Sequence, residues 1–230
     1  MASVLITGSN RGIGLEFVKK LLDRGDRVIA TCRDVAAAKS LQALQAGGAE
    51  LQILALDVSS SASMAALAEQ LQNQAIDVLI NNAGVYGPRD SQFGKLEAET
   101  WSAVLAVNSI APILLTQYLL ANLQQGQARK LIYITSKMGS IDDNKGGGSY
   151  IYRSSKSALN SAVKSLSVDL AADGFSVALL HPGWVQTDMG GPSALINTDT
   201  SVSGMLGVID NLDQASSGSF FNYDGAIIPW

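Results

Sequence analysis

The chain has 230 residues and a mass of 24.1 kDa, with 47% hydrophobic, 16% charged and 6% aromatic residues and a mean hydropathy of +0.18. That length suits one ordinary domain with a sizeable core, and the composition excludes disorder, collagen-like repeats and a disulfide scaffold. Sixteen Lys plus Arg against twenty Asp plus Glu give a net charge of −4 and a pI near 4.9, and without a basic block neither nucleic acid nor an anionic membrane is an expected partner.

Taken in chain order, Ser3–Thr7 (SVLIT) reads as a short strand, followed by glycines and a helical pattern through Leu15, Val18, Leu21 and Leu22. Strands are expected over 27–31 (RVIAT), 51–56 (LQILAL), 76–80 (IDVLI), 130–135 (KLIYIT), 175–180 (FSVALL) and 219–223 (SFFNY). Between them lie helical patterns over 35–45, 60–72 and 97–124, and one from the Tyr150 region to near Gly174. Strands apolar on both faces, alternating with helix-length segments, predict a doubly wound α/β fold: about seven parallel strands with helices on both faces. No repeat or linker divides 1–230, so a single domain is expected. Residues 141–149 read as a loop, and 189–203 as a second weakly ordered stretch.

The greasiest run, 110–123 (IAPILLTQYLLANL), reads as too short for a membrane span. A strand and glycine loop begin within eight residues of Met1, where a secretory leader would need room. A cytoplasmic protein is expected. Cys32 is the only cysteine and His181 the only histidine, so no intrachain disulfide is possible and no metal site is expected.

The first loop, Thr7-Gly8-Ser9-Asn10-Arg11-Gly12-Ile13-Gly14, joins a strand to a helix. Glycines there allow a tight turn and let the backbone approach a pyrophosphate at the helix N-terminus, as in a Rossmann dinucleotide site. It is not a P-loop, because no Gly-Lys follows. At the tip of the second strand stand Cys32 and then Arg33, while Asp34 precedes a helical run and reads as its N-cap. Two guanidinium groups, Arg11 and Arg33, with no acid at the tip, favour the 2′-phosphate of NADP.

Tyr152 and Lys156 are spaced i, i+4 and so share one helix face. An ammonium beside a phenol favours phenolate and prepares it for proton transfer near neutral pH. Tyr150 lacks such a partner, since Ser154 stands four residues on. Ser136 ends the fifth strand, where ligands sit in open α/β sheets. Asn108 is a polar amide inside an apolar helix, and Asn82-Ala83-Gly84 caps the fourth strand. Ser154 and Ser155 read as helix-surface residues, and His181 as structural. No G-x-S-x-G elbow is present.

These residues, with Asp57 and Pro182-Gly183 before Thr187, resemble in order and spacing the short single-domain subclass of the short-chain dehydrogenase/reductase family. Residues 139–141, 150–160 and 181–191 are most similar to its C-factor and sniffer-type carbonyl reductase branch. The resemblance implies a Rossmann fold, NADP(H) and a hydride transfer. It implies that Tyr152 is the acid/base and that Ser136 holds the substrate oxygen. Lys156 would lower the tyrosine pKa and hold the nicotinamide ribose, and Asn108 would support a water leading to Lys156. Thr187 and the Val185 backbone would anchor the nicotinamide carboxamide. Asp57 and Val58 would meet the adenine, and Asn82, Ala83 and Gly84 the adenosine ribose side.

The expected activity is NADPH-dependent reduction of a ketone, aldehyde or quinone. Two alternatives stay open: a dehydrogenase working in the oxidative direction, and a non-catalytic NADP-binding signalling or scaffold protein on the same fold. Family usage places substrate specificity in 188–212, expected as a short mobile lid, and near 86–93 and 138–149. It also implies a homodimer or homotetramer paired through the long helices.

Overall fold

The structure is a computed structural model describing residues Met1–Trp230. Seven strands, β1 (Ser3–Thr7), β2 (Arg27–Cys32), β3 (Leu51–Ala55), β4 (Val78–Asn81), β5 (Lys130–Ile134), β6 (Ser176–His181) and β7 (Ser219–Asn222), form one sheet. Their order is β3-β2-β1-β4-β5-β6-β7, and every pairing is parallel. The helices are α1 (Gly12–Asp23), α2 (Lys39–Ala46), α3 (Ser61–Gln70), α4 (Ala98–Leu105), α5 (Ala111–Tyr118), α6 (Leu120–Gln125), α7 (Tyr150–Asp169) and α8 (Thr198–Asn211).

Both faces of the sheet are covered, which is why the strands are apolar without alternation. On one face Val4 and Ile6 pack with Phe17, Val18 and Leu21 of α1 and with Val202, Met205 and Ile209 of α8. On the other, Leu5 joins Met64 and Leu67 of α3, Leu115 of α5, and Leu159 and Val163 of α7. The winding direction reverses between β2-β1 and β1-β4, which opens a crevice at the C-terminal strand ends.

Three segments depart from the sequence expectation. Helix α2 starts at Lys39, because Asp34 caps a separate turn, its Oδ1 accepting from the Ala37 N–H at 3.0 Å. The helix expected over 97–124 is interrupted by a π-helical turn at Ala106–Ile110. Pro112 has no N–H to return to the carbonyl of residue 108, which loosens the ladder there. The run Ala98–Tyr118 is long and apolar enough to cross a membrane by length and composition, but here it packs against α7 and carries Asn108.

The third departure concerns the lid expected over 188–212. Asn197 caps α8 by accepting from the Thr200 N–H, and Ser201, Val202, Met205, Leu206 and Ile209 bury one face of that helix. Only 188–197 is irregular, so the candidate lid is less than half as long as expected. Serine, threonine and glycine between the apolar positions masked a periodic helix.

Candidate active site

A cleft of about 540 Å³ runs over the C-terminal ends of β1, β2, β4 and β5. It gathers Gly8, Asn10, Arg11, Gly12, Ile13, Gly14, Arg33, Asp57, Val58, Asn82, Ala83, Gly84, Tyr152, Lys156 and Thr187 from the sequence-predicted set. Val185, Asn108 and Ser136, also predicted, are buried and are not among the lining residues. Cys32 at the tip of β2, Asp188 and Met189 from the expected lid, and Val85, which had no expected role, also line the cleft.

The glycine loop is shaped for close approach. Gly8 and Gly12 take φ of +66° and +54°, and a Cβ on Gly14 would collide with the Gly8 carbonyl and lie 2.6 Å from Asn82 Nδ2. Asn82 Nδ2 donates to the carbonyls of Thr7 and Gly8 at 2.9 and 3.1 Å. Thr7 Oγ1 accepts from the Asn82 and Ala83 N–H groups. Asn82 therefore ties β4 to the glycine loop, a holding role the sequence did not reveal. This backbone cradle at the start of α1 suits a pyrophosphate, so the residues present fit a dinucleotide.

The two arginines do not act together. Arg11 is paired with Asp188 at 2.7 Å across the mouth of the cleft, both side chains largely exposed. Arg33 lines the cleft without an ion pair of its own. Asp57 is held below the usual carboxylate range mainly by Ser59, whose hydroxyl and N–H donate at 2.6 and 2.9 Å, with a smaller contribution from Arg33.

At the far end of the cleft Ser136, Tyr152 and Lys156 converge, each less than a tenth exposed. Ser136 follows β5, and its hydroxyl accepts from the Met138 N–H at 3.2 Å. The Lys156 ammonium donates to the Ile134 carbonyl at 2.9 Å and lies 6.0 Å from the Tyr152 ring centroid. Burial pushes the Tyr152 phenol up to about 12, with Ser136 pulling it back, and pushes Lys156 down to about 8. Removing water disfavours the charged form of each group, which raises a phenol and lowers an ammonium.

Asn108 lies in the π-helical turn with both amide hydrogens and its oxygen engaged. Its Oδ1 accepts from the Val85 N–H at 2.9 Å, and its Nδ2 donates to the Val85 carbonyl at 2.7 Å and to Ser155 Oγ at 3.0 Å. Ser155 is fully buried, and Ser154 accepts from Trp101 Nε1 at 2.8 Å. Neither is the surface residue expected from sequence, because α4 and the π-helical turn cover that face of α7. Thr187 Oγ1 donates to the Val185 carbonyl at 3.3 Å and accepts from the Gly190 N–H, shaping the turn that leads to Asp188.

Tyr86 was read only as part of a specificity loop. Its ring stacks on that of Tyr152, with centroids 4.5 Å apart and planes inclined by 26°. His181 lies outside this cleft, its imidazole pushed down to about 4 by burial and by Lys137.

This arrangement can hold a carbonyl oxygen between a phenol and a hydroxyl while a flat cofactor lies along the glycine loop. A family model for short chain dehydrogenases matches residues 2–195. C-signal of Myxococcus xanthus is 47% identical over 167 residues, covering 73% of this chain and all of that protein. The structure of carbonyl reductase Sniffer of D. melanogaster is similar with a TM-score of 0.95 and 37% identity, both chains being covered completely. An NADPH-bound carbonyl reductase from chicken fatty liver gives a TM-score of 0.94 and 38% identity over 100% of this chain and 99% of that one.

Proposed function

The chain belongs to the short chain dehydrogenase family, an oxidoreductase in its C-signal and Sniffer-like branch, and from that membership we propose that it is an NADPH-dependent carbonyl reductase acting on ketones, aldehydes or quinones. The observation that carries this reading is the convergence of Tyr152, Ser136 and Lys156 at one end of the glycine-loop cleft. The NADPH-bound neighbour supports the cofactor. So does Arg33, a cation in the cleft with no internal acid partner.

When bound, NADPH supplies the hydride. The chain's own residues do the rest. The Gly8–Gly14 backbone receives the pyrophosphate, and Arg33 the 2′-phosphate. Asp57 and Val58 border the adenine, while Thr187 and the Val185 backbone hold the carboxamide end. Ser136 Oγ donates a hydrogen bond to the substrate oxygen, and Tyr152 Oη gives it a proton as the alkoxide forms. Lys156 Nζ, at about 8, is a protonated neighbour at neutral pH that steadies phenolate once the proton has left. The same residues serve alcohol oxidation in reverse.

Loss of NADPH absorbance with a panel of activated carbonyls tests this reading. Tyr152→Phe should lower kcat by about 10²–10⁴-fold while NADPH still binds. Unchanged turnover in that variant would remove the assigned acid. The similarity to C-signal favours one second reading, a signalling protein that binds NADP without turnover; cofactor binding with no carbonyl reduced would select it.

We further read the protein as a cytoplasmic homodimer or homotetramer of one NADP-binding domain over 1–230. Exposed Ile110 and Tyr118 on one helical run and Val168 on α7 offer the apolar contact surface. Sedimentation at micromolar concentration reads the assembly directly.

A further inference from the structure

We propose that Tyr86 is a positioning residue for the Tyr152 phenol, its ring laid against the Tyr152 ring and its hydroxyl fixed to Ser149 at the start of α7. This rests on the reductase reading above. A phenol on a helix has its χ1 set by the backbone, but rotation about χ2 is broad and must be restricted by neighbours. Tyr86 supplies that restriction through offset stacking at 4.5 Å, a geometry that aromatic pairs favour.

Tyr86 is itself held from three sides. Its hydroxyl hydrogen-bonds Ser149 Oγ at 3.0 Å, and Ser149 is the left-handed residue (φ +46°) from which α7 departs. Behind it, Gly87 lies on the helices so closely that a Cβ there would meet Val104 Cγ2 at 3.0 Å and Ile151 Cγ2 at 3.6 Å. In front of it, Val85 is gripped by Asn108. The Arg89 guanidinium stands 5.7 Å from the Tyr86 ring centroid and donates to the Met189 carbonyl at 2.9 Å, which joins this support to the candidate lid. A displacement of about 1 Å at a reacting group can cost on the order of 10²-fold in rate, so a support of this kind acts on kcat and leaves KM alone.

The full chain is labelled with 3-fluorotyrosine, and the Tyr152 signal is assigned by its loss in Tyr152→Phe. Slow ring rotation, seen as two resolved or broadened ¹⁹F lines, is expected in the wild type and in Tyr86→Phe, and one averaged line in Tyr86→Leu. With a carbonyl that the wild type reduces, Tyr86→Leu should lose about 10–100-fold in kcat with KM and NADPH affinity nearly unchanged, while Tyr86→Phe stays within about threefold of wild type. An unchanged line shape in Tyr86→Leu overturns the proposal, as does a loss confined to KM or an equal loss in Tyr86→Phe. Tyr86→Met, which refills much of the ring's space, replaces the leucine variant should that not fold. If Tyr152→Phe leaves turnover intact, or no carbonyl is reduced, the reductase reading fails by itself and the ¹⁹F line shape alone decides the positioning of the ring.

Discussion

Asn108 grips the backbone of Val85 at both ends, accepting from its N–H at 2.9 Å and donating to its carbonyl at 2.7 Å. This reciprocal pair mimics one rung of a β-ladder between a π-helical turn and the loop after β4. It explains why a polar amide sits in an apolar helix at 1% exposure. The side chain holds the loop that carries Tyr86, and no side-chain hydrogen remains for a water, since the second one goes to Ser155 Oγ.

Asn108→Ala should therefore destabilise the fold as well as slow the enzyme. It strands a Val85 N–H and carbonyl with no replacement partner, at a cost of about 2–4 kcal/mol. The denaturant midpoint should fall with the m-value unchanged. A variant as stable as wild type but inactive would make Asn108 a purely chemical group.

Much of this was legible in the sequence because the strands are buried on both faces and read as uninterrupted apolar runs. Val4, Leu5 and Ile6 each leave no surface exposed, so no alternation could mislead. The glycine loop was legible for a different reason: only glycine fits where Gly14 meets Gly8. What stayed hidden depended on contacts far apart in sequence. Ser155 looked like surface until the π-helical turn covered it, and Tyr86 could not be placed against Tyr152 across 65 intervening positions. Spacing reports that Tyr152 and Lys156 share one helix face, but not the loss of water around both groups.

Cofactor choice should separate the two arginines. Arg33→Ala should weaken NADPH by about 1.5–3 kcal/mol and leave NADH nearly untouched, the loss of one charge-assisted bond. Arg11 is engaged with Asp188. Asp188→Asn removes an anion from the mouth of the cleft and frees that guanidinium, so NADPH should bind several-fold tighter, with stability changed by less than about 1 kcal/mol because the pair is exposed. Titration of both variants with both nucleotides checks this. Equal weakening of NADPH and NADH by Arg33→Ala would contradict the assignment.

Acid should weaken the protein through His181 before it does so through the carboxylates. The imidazole is pushed from 6.5 to about 4 by burial and by Lys137, with Asp143 opposing, and its Nδ1 has no partner. The folded state thus resists protonation that the unfolded chain accepts, and stability falls as pH drops from about 6.5 toward 4. Asp57 and Asp77 are also lowered, but their contribution is lost only below their ordinary range. Urea midpoints at pH 7 and pH 4.5 should differ by less in His181→Gln than in wild type. Parallel curves for the two proteins would remove His181 from the acid limb.

Lys156 sets function against stability. Its ammonium is buried beside the Ile134 carbonyl, 2.9 Å away, with no carboxylate to neutralise it, and its pKa falls from 10.5 to about 8. Below pH 8 the folded state carries a charge that the unfolded chain would hold more cheaply in water. Between about 8 and 10.5 the folded lysine is neutral while the unfolded one is still protonated, so stability rises with pH across that window. Lys156→Met removes the charge and keeps the length. At pH 7 the variant should be more stable than wild type by an amount on the order of 2 kcal/mol, and the advantage should shrink by pH 9.5. The same substitution should abolish most carbonyl turnover, because nothing then steadies the phenolate left at Tyr152. Denaturant midpoints at the two pH values, measured beside kcat, test both halves at once. A methionine variant less stable than wild type at pH 7 would mean that the bond to Ile134 outweighs the desolvation of the ammonium, and that the cleft carries its cation at no cost to the fold.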